Sequence, residues 1–513
     1  MNRWKIGRND AFAEKNLEEC VFKGSTWRYI RKWISIVSFL LCLINLSSCA
    51  ANPTQNIVTS KNDGAFDSKI QQTAPVQETE GIVMNRNGSF SSTDGSVEYI
   101  WNIYQTVFSD PMPVVEVVPH YFTGDDIHRI ASVLFGNAVF CDLGPESELQ
   151  FSRTEIQRKL NLLTKYSSEE SFSELYISNY WNVSKVQNLI EDYTLQYETA
   201  PEESSFAICD WTLKKESYYK DSGNYGMSDG NNNQLNIITT IENRDYTITA
   251  NIRNDYMRNY LSVDIGDGTG HIMRSIQYEE LCATEAPTQE QIESALTIAQ
   301  TMLDQMDLGQ FMVVEGSVSS TNAGAAPGYL IRVKAIPVIE GVPGLLGHTG
   351  VTYVNTDLTV ESYAPNYAMA NVEFTFNADG ILVSFTMDGI TEVKEVININ
   401  VATLPIDELF AKSETYLSLF DAASFDSITG NNIYSVSVDH GVTEDSIALK
   451  VEITGVQYGL ARINVPNSDD SFYYTPAMLF EGTISYYDKD TGELIDSITK
   501  PLFTINAVDG TII

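Results

Sequence analysis

Several groups of residues in this chain have the types and spacing from which chemistry could be built. Gly226-Met227-Ser228-Asp229-Gly230 matches the G-x-S-x-G spacing of a nucleophilic serine. A nucleophile elbow requires a strand before the serine and a helix after it. Here an Asn/Gly-rich stretch surrounds the serine and strand-like residues follow. Ser497-Ile498-Thr499-Lys500 has the S-x-x-K spacing, which joins hydroxyl and amine only on a helix; these residues alternate like a strand, and no K-T-G accompanies them. His120 and His128 flank Asp125 and Asp126, a set able to hold a cation, yet two acids in a first helical turn are also what the helix dipole favours. Asp264–Gly270 lacks the spacing and closing Glu of a calcium loop, and Asp488, Asp490 and Glu493 have the same polar-turn character. The reading is therefore of no catalytic residue, no cofactor and no metal site: not an enzyme.

The elements that would position any site come from a chain of 513 residues, 43% hydrophobic and 19% charged, enough for several buried cores. The net charge is −36. Nucleic acid is excluded as a partner, because phosphate neutralisation needs clustered Lys and Arg. Abundant acids offer many pairs for glycoside hydrolysis, but a solvated acidic surface accounts for them without a site.

Residues 28–33 are basic, and 34–46 are about thirteen mostly apolar residues. That run is short for a membrane span, which needs roughly 20, and has the length of a signal-peptide core. It ends in Leu46-Ser47-Ser48-Cys49, which resembles the lipobox of bacterial lipoproteins. The resemblance implies cleavage between Ser48 and Cys49, a diacylglyceryl group on Cys49, and attachment to the outer leaflet of the cytoplasmic membrane. Eight of the 32 Lys+Arg but only four of the 68 Asp+Glu lie in residues 1–48, leaving 24 against 64 in residues 49–513. Repulsion should hold so acidic a body off an anionic leaflet. Cys141, Cys209 and Cys282 remain, with no C-x-x-C and no zinc spacing; one disulfide with one thiol, or three thiols, both fit.

The expected order is a signal peptide (1–48), a lipidated Cys and polar tether (49–96) reaching on the order of 40 Å, and three modules. Module A, 97–284, has helices opened by Thr123/Asp126, Ser152/Glu155 and Ser184/Gln187 pairs, then strands at 206–218, 234–242, 245–254 and 260–265. Module B, 285–401, opens on a Thr288/Gln291 capping box and the stripe Ile292, Ala295, Leu296, Ala299, Met302, Leu303, Met306, followed by strands at 310–319, 328–340, 351–360, 369–377 and 381–388. Module C, 402–513, starts a helix at Pro405 and continues with strands at 432–440, 446–465, 472–487 and 501–513. The fold class is α+β: tandem helix-plus-antiparallel-meander modules.

Two phrases in module C, Phe472–Gly482 (FYYTPAMLFEG) and Phe503–Ile513 (FTINAVDGTII), are similar to the closing strands of PepSY-like domains. They also resemble the extracytoplasmic domains of YycH and YycI signalling accessory proteins. The whole chain resembles large lipoproteins of clostridia-like Firmicutes. These resemblances imply a non-catalytic protein that contacts another protein at the cell envelope, as a signalling accessory or a peptidase-restraining factor. The families' grip through a transmembrane helix does not carry over to a lipid-anchored chain. A saccharide- or small-molecule-binding lipoprotein and a cell-wall hydrolase are the alternatives. Tyr473 and Tyr474 are neighbours on one strand, so one faces inward and the other is an interface candidate.

Overall fold

The protein, a computed structural model, is described over residues 65–74, 82–107, 112–143, 150–173, 175, 182–215, 233–253, 258–266, 271–321, 328–345, 351–354, 360–363, 370–429, 433–465, 468 and 471–513. All of these belong to one compact unit, Val58–Ile513. The lipobox residues Leu46, Ser47, Ser48 and Cys49, and the Gly226–Gly230 motif, lie outside the described residues.

The fold is α+β, built on two large sheets. The first contains β1 (Ile82–Ser91), β2 (Val97–Val107), β3 (Val114–Pro119), β16 (Thr391–Asn398), β17 (Ile447–Asn464), β18 (Phe472–Asp488) and β19 (Leu494–Asn506). Its strand order is β1-β2-β17-β18-β3-β16, with β19 also on β18. The second contains β4 (Phe140–Asp142), β5 (Lys214–Lys215), β6 (Asn233–Ile241), β7 (Arg244–Arg253), β8 (Arg258–Ile265), β9 (Phe311–Thr321), β10 (Gly328–Ile339), β11 (Val342–Pro343), β14 (Asn371–Phe376) and β15 (Leu382–Asp388). Its spine runs β11-β10-β14-β15-β8-β7-β6-β4. A separate hairpin joins β12 (Val351–Val354) to β13 (Val360–Tyr363).

Helices form where capping and spacing dictate. The helices α2 (Gly124–Phe135), α3 (Arg153–Lys165) and α7 (Gln289–Met306) open on reciprocal capping boxes at Thr123/Asp126, Ser152/Glu155 and Thr288/Gln291. Between them lie α4 (Glu169–Ser173), α5 (Val183–Thr199) and α6 (His271–Leu281). The expected Ser184 cap is not used: Asn182 stands at the N-cap of α5, and makes no side-chain bond there. On α7, Ala295, Ala299, Leu303 and Met306 are buried against the second sheet with Val333, Phe374 and Phe385; a large apolar side chain contributes about 1.5–3 kcal/mol on full burial. On α8 (Ile406–Leu417), Leu409, Phe410 and Leu417 pack on the first sheet. The short α9 (Ala422–Ile428) and α10 (Ile433–His440) complete that face. Both helices expected ahead of the meanders are present, α7 before β9-β10-β14-β15 and α8 before β17-β18-β19.

The expected boundaries differ in four ways. First, the tether is partly folded. Helix α1 (Ala65–Ile70) buries Phe66 and Ile70, and β1 pairs with β2 throughout. The apolar residues are few, but i, i+4 and i, i+2 spacing lets them fill a surface supplied by the rest of the chain. Second, the three consecutive modules do not each own a sheet. Residues 97–284 supply β2 and β3 to the first sheet and β4 to β8 to the second, and β8 pairs with β15. Third, β2 lies parallel to β17, with Leu449 opposite Val97, in a sheet otherwise antiparallel. Fourth, 432–440 alternates like a strand but forms α10, because Ile433 and Ser437, one helical turn apart, both turn inward. Among the described residues, the expected strand 206–218 shows β5 and an isolated bridge at Ile208, and 351–360 shows β12 and the first residue of β13.

Candidate functional site

Two chain crossings between the sheets run side by side. One leaves β3 at Pro119 and enters α2; the other leaves β15 and enters β16. His120 N–H donates to the Ile390 carbonyl at 2.9 Å. Asn259 on β8 is fully buried and holds both crossings. Its Oδ1 accepts from Phe122 N–H at 3.0 Å and its Nδ2 donates to the His120 carbonyl. Its backbone carbonyl accepts from Gly389 N–H at 3.2 Å. A buried polar side chain costs stability unless its groups are satisfied, and Asn259 is satisfied by the strands it ties together.

A cleft of about 660 Å³ opens at this seam. His120 stands between two carboxylates: Nε2 is 3.3 Å from Asp126 Oδ2 and Nδ1 is 3.3 Å from Glu392 Oε2. Arg129 Nη2 bonds Asp126 Oδ1 at 2.6 Å, and Nη1 lies 3.5 Å from Asp307 Oδ2. Asp126 also accepts from Thr123 N–H and Oγ1–H at 2.9 and 2.7 Å. Burial pushes the Asp126 carboxyl up, but the Thr123 amide and hydroxyl and the adjacent His120 outweigh it and hold the group below its ordinary value. Asp126 is therefore already committed. Glu392 and Asp307, with side chains 60% and 87% exposed, and Glu340 form an acidic rim over a floor that includes Phe311, Pro337 and Ile339.

One wall of the cleft is β16, through Thr391, Glu392 and Val393. Among the described residues β16 pairs on one side only, with β3. Val393 is 47% exposed. The lining also includes the turn between β10 and β11, where Glu340 and Gly341 both have positive φ, as a two-residue hairpin demands. An unpaired strand edge offers backbone donors and acceptors to an extended segment. The acidic rim would favour a cationic one.

His120 and Asp126 thus come together, as their spacing allowed. His128 does not join them; its ring packs on Trp211 at 4.5 Å. Asp264 pairs with Arg274 at 2.7 Å. Asp488 accepts from the amides of Asp490 and Thr491, closing a polar turn. Ser497 and Lys500 lie on β19, and Lys500 Nζ donates to the Thr429 carbonyl. Cys141, Cys209 and Cys282 form no disulfide among the described residues.

The interface expected at Tyr473 and Tyr474 is a correction. The pair does point to opposite faces, but both are buried, at 8% and 3% exposure. Tyr473 lies under Phe66 of α1, with ring centroids 6.2 Å apart, and Tyr474 packs with Val115, Val117 and Phe472. The chain covers both faces of β18 there.

No protein-family model matches this chain, and no curated protein matches it. Among solved structures it is similar to a protein from Eubacterium rectale described as uncharacterized, with TM-score 0.36 and 10% identity, covering 88% of this chain and 99% of that one. It is also similar to the C-terminal domain of YpeB from Bacillus megaterium, with TM-score 0.24 and 9% identity, covering 56% of this chain and 87% of that domain. At these values neither likeness carries an argument about what this chain is or does.

Proposed function

We propose that this chain is a lipid-anchored extracytoplasmic protein that captures a cationic, extended segment of an envelope protein in the cleft beside β16, without catalysis. The observation that carries the reading is the juxtaposition of a strand edge, paired on one side only among the described residues, with an acidic rim formed by Glu340, Glu392 and Asp307. Strand addition would supply affinity through main-chain bonds, and the rim would supply charge selection. The anchor rests on Leu46-Ser47-Ser48-Cys49, and no helix among the described residues is long and apolar enough to cross a membrane. The accessory or peptidase-restraining role rests on the resemblance of the C-terminal phrases, Phe472–Gly482 and Phe503–Ile513, to PepSY-like domains.

Crosslinked affinity capture from detergent-solubilised source membranes tests this. The native full chain should retain one stoichiometric envelope protein, and Glu340→Lys/Glu392→Lys should release it. A partner retained equally by both chains, or none at high bait concentration, would overturn the reading.

A further inference from the structure

Both ring nitrogens of His120 meet carboxylates: Nε2 faces Asp126 Oδ2 and Nδ1 faces Glu392 Oε2, each at 3.3 Å. An ionised carboxylate only accepts hydrogen bonds, and a neutral imidazole has one N–H to donate. With one ring proton, one of these contacts sets a nitrogen lone pair against a carboxylate oxygen. With two, both contacts are hydrogen bonds between opposite charges. The backbone on either side of the ring is held in place. The His120 N–H donates to the Ile390 carbonyl at 2.9 Å, and the His120 carbonyl accepts from Asn259 Nδ2.

The two carboxylates differ in what else holds them. The Asp126 side chain is 8% exposed and also accepts from the Thr123 amide, the Thr123 hydroxyl and Arg129 Nη2. The Glu392 side chain is 60% exposed, and His120 is its partner among the hydrogen bonds and ion pairs of the described residues. Nε2–H therefore stays on Asp126, and the second ring proton is the one between Nδ1 and Glu392. The other charged groups lining the cleft are Arg129, Asp307 and Glu340. Arg129 pairs with Asp126 and Asp307. Lys394, further along β16, bonds Glu116 of β3 at 2.7 Å, and β8 presents the neutral Asn259. Carboxylates, lysine and arginine ordinarily titrate outside pH 5 to 8, and imidazole within it.

We infer that a proton on His120 and a cationic guest compete for Glu392, so that the cleft takes a Lys- or Arg-bearing segment at neutral and mildly alkaline pH and lets it go as the medium turns mildly acidic. This rests on the reading of the cleft given above and adds its regulation. With Nδ1 bare, Glu392 joins Glu340 and Asp307 in facing the guest. With Nδ1 protonated, the imidazolium neutralises Glu392 where it stands, and the guest meets one net negative charge fewer. Each bound segment displaces up to one proton from Nδ1 to the solvent, and by reciprocity a higher proton concentration weakens the segment.

Fluorescence anisotropy with the detergent-solubilised full chain at pH 8 and pH 5.5 tests the inference. The probe is a labelled peptide of alternating residues, Lys-Val-Lys-Val-Lys, whose extended form sets its lysines on one face. The native chain should bind it at pH 8 and at least threefold more weakly at pH 5.5. His120→Gln keeps the backbone groups that hold the crossing but takes up no proton, and should bind equally at both. Glu392→Gln should bind more weakly than the native chain at pH 8 and lose most of the pH dependence. Native binding that does not change with pH, or the full pH dependence surviving in either variant, would overturn the inference and leave the reading of the cleft standing. No binding by the native chain at either pH would overturn that reading, and the inference with it.

Discussion

Asn259 donates to the His120 carbonyl and accepts the Phe122 amide, so one buried side chain on β8 clamps the segment by which the chain passes from the first sheet to the second. The consequence is mechanical. The cleft beside β16 has walls from both sheets, and this clamp joins the two crossings beside it. Asn259→Ala should lower stability by about 2–3 kcal/mol, the cost of stranding two buried backbone groups. Denaturant unfolding should show a lower midpoint with an unchanged slope.

Asp126 gives the seam an acid sensitivity of defined sign. Its folded carboxyl titrates below the ordinary value, about 3.9 in unfolded chains. Its contribution to stability is therefore fully present above that value and is lost as pH falls through the lower folded value. Asp264, pushed up by burial against the opposing pull of Arg274, acts in the reverse sense. The gap in unfolding free energy between the native chain and Asp126→Asn should thus be constant at neutral pH and shrink below about pH 4. A gap independent of pH down to the acid transition would contradict the assignment.

Phe66 covers Tyr473, so the segment carrying it belongs to the fold. Phe66→Ala should cost about 3 kcal/mol by thermal or denaturant unfolding, as for other buried phenylalanines. A free tether predicts a change within about 0.5 kcal/mol, the usual range for exposed positions.

Gly459 sits where β11 of the second sheet meets β17 of the first. A Cβ there would lie 2.8 Å from the Pro343 carbonyl and 2.9 Å from Leu345 Cδ2. Gly459→Ala should force the two apart and lower stability by about 1–3 kcal/mol, read as a reduced thermal midpoint.

Cys49→Ala should abolish incorporation of a clickable fatty acid and move the chain out of the membrane fraction. Labelling that persists in the variant would place the lipid elsewhere.

Much of this architecture was legible in the residues. Capping boxes at Thr123, Ser152 and Thr288 begin three helices, because a side-chain acceptor three residues before an acidic or amide partner is a local device that distant packing does not alter. A glycine inside a strand marks a bulge or a bend, and the β17–β18 register shifts at Gly455. Strand pairing was not legible in the same way. Nothing local to Val97 says that it lies opposite Leu449, and an alternating Tyr473-Tyr474 pair says which faces differ, not that Phe66 will cover one of them. The sites show the same division. The spacing of His120 and Asp126 suggested their meeting, whereas Glu392 reaches His120 only through a crossing 272 residues away. Lys159 carried an unread signal: it stands three residues after Ile156 and four before Leu163, on the buried stripe of α3, where a lysine needs a partner. Asp245 is that partner.

The central claim, that the cleft beside β16 receives a partner segment, is tested most directly by a photocrosslinking amino acid placed at Val393 in the full chain within source membranes. Leu494, 57% exposed and opposite Tyr487 at the far end of β18 from β3, serves as the control. A single adduct from Val393, absent from Leu494 and lost with Glu340→Lys/Glu392→Lys, is the predicted result. Equal adducts from both positions, or adducts from Leu494 alone, would contradict it.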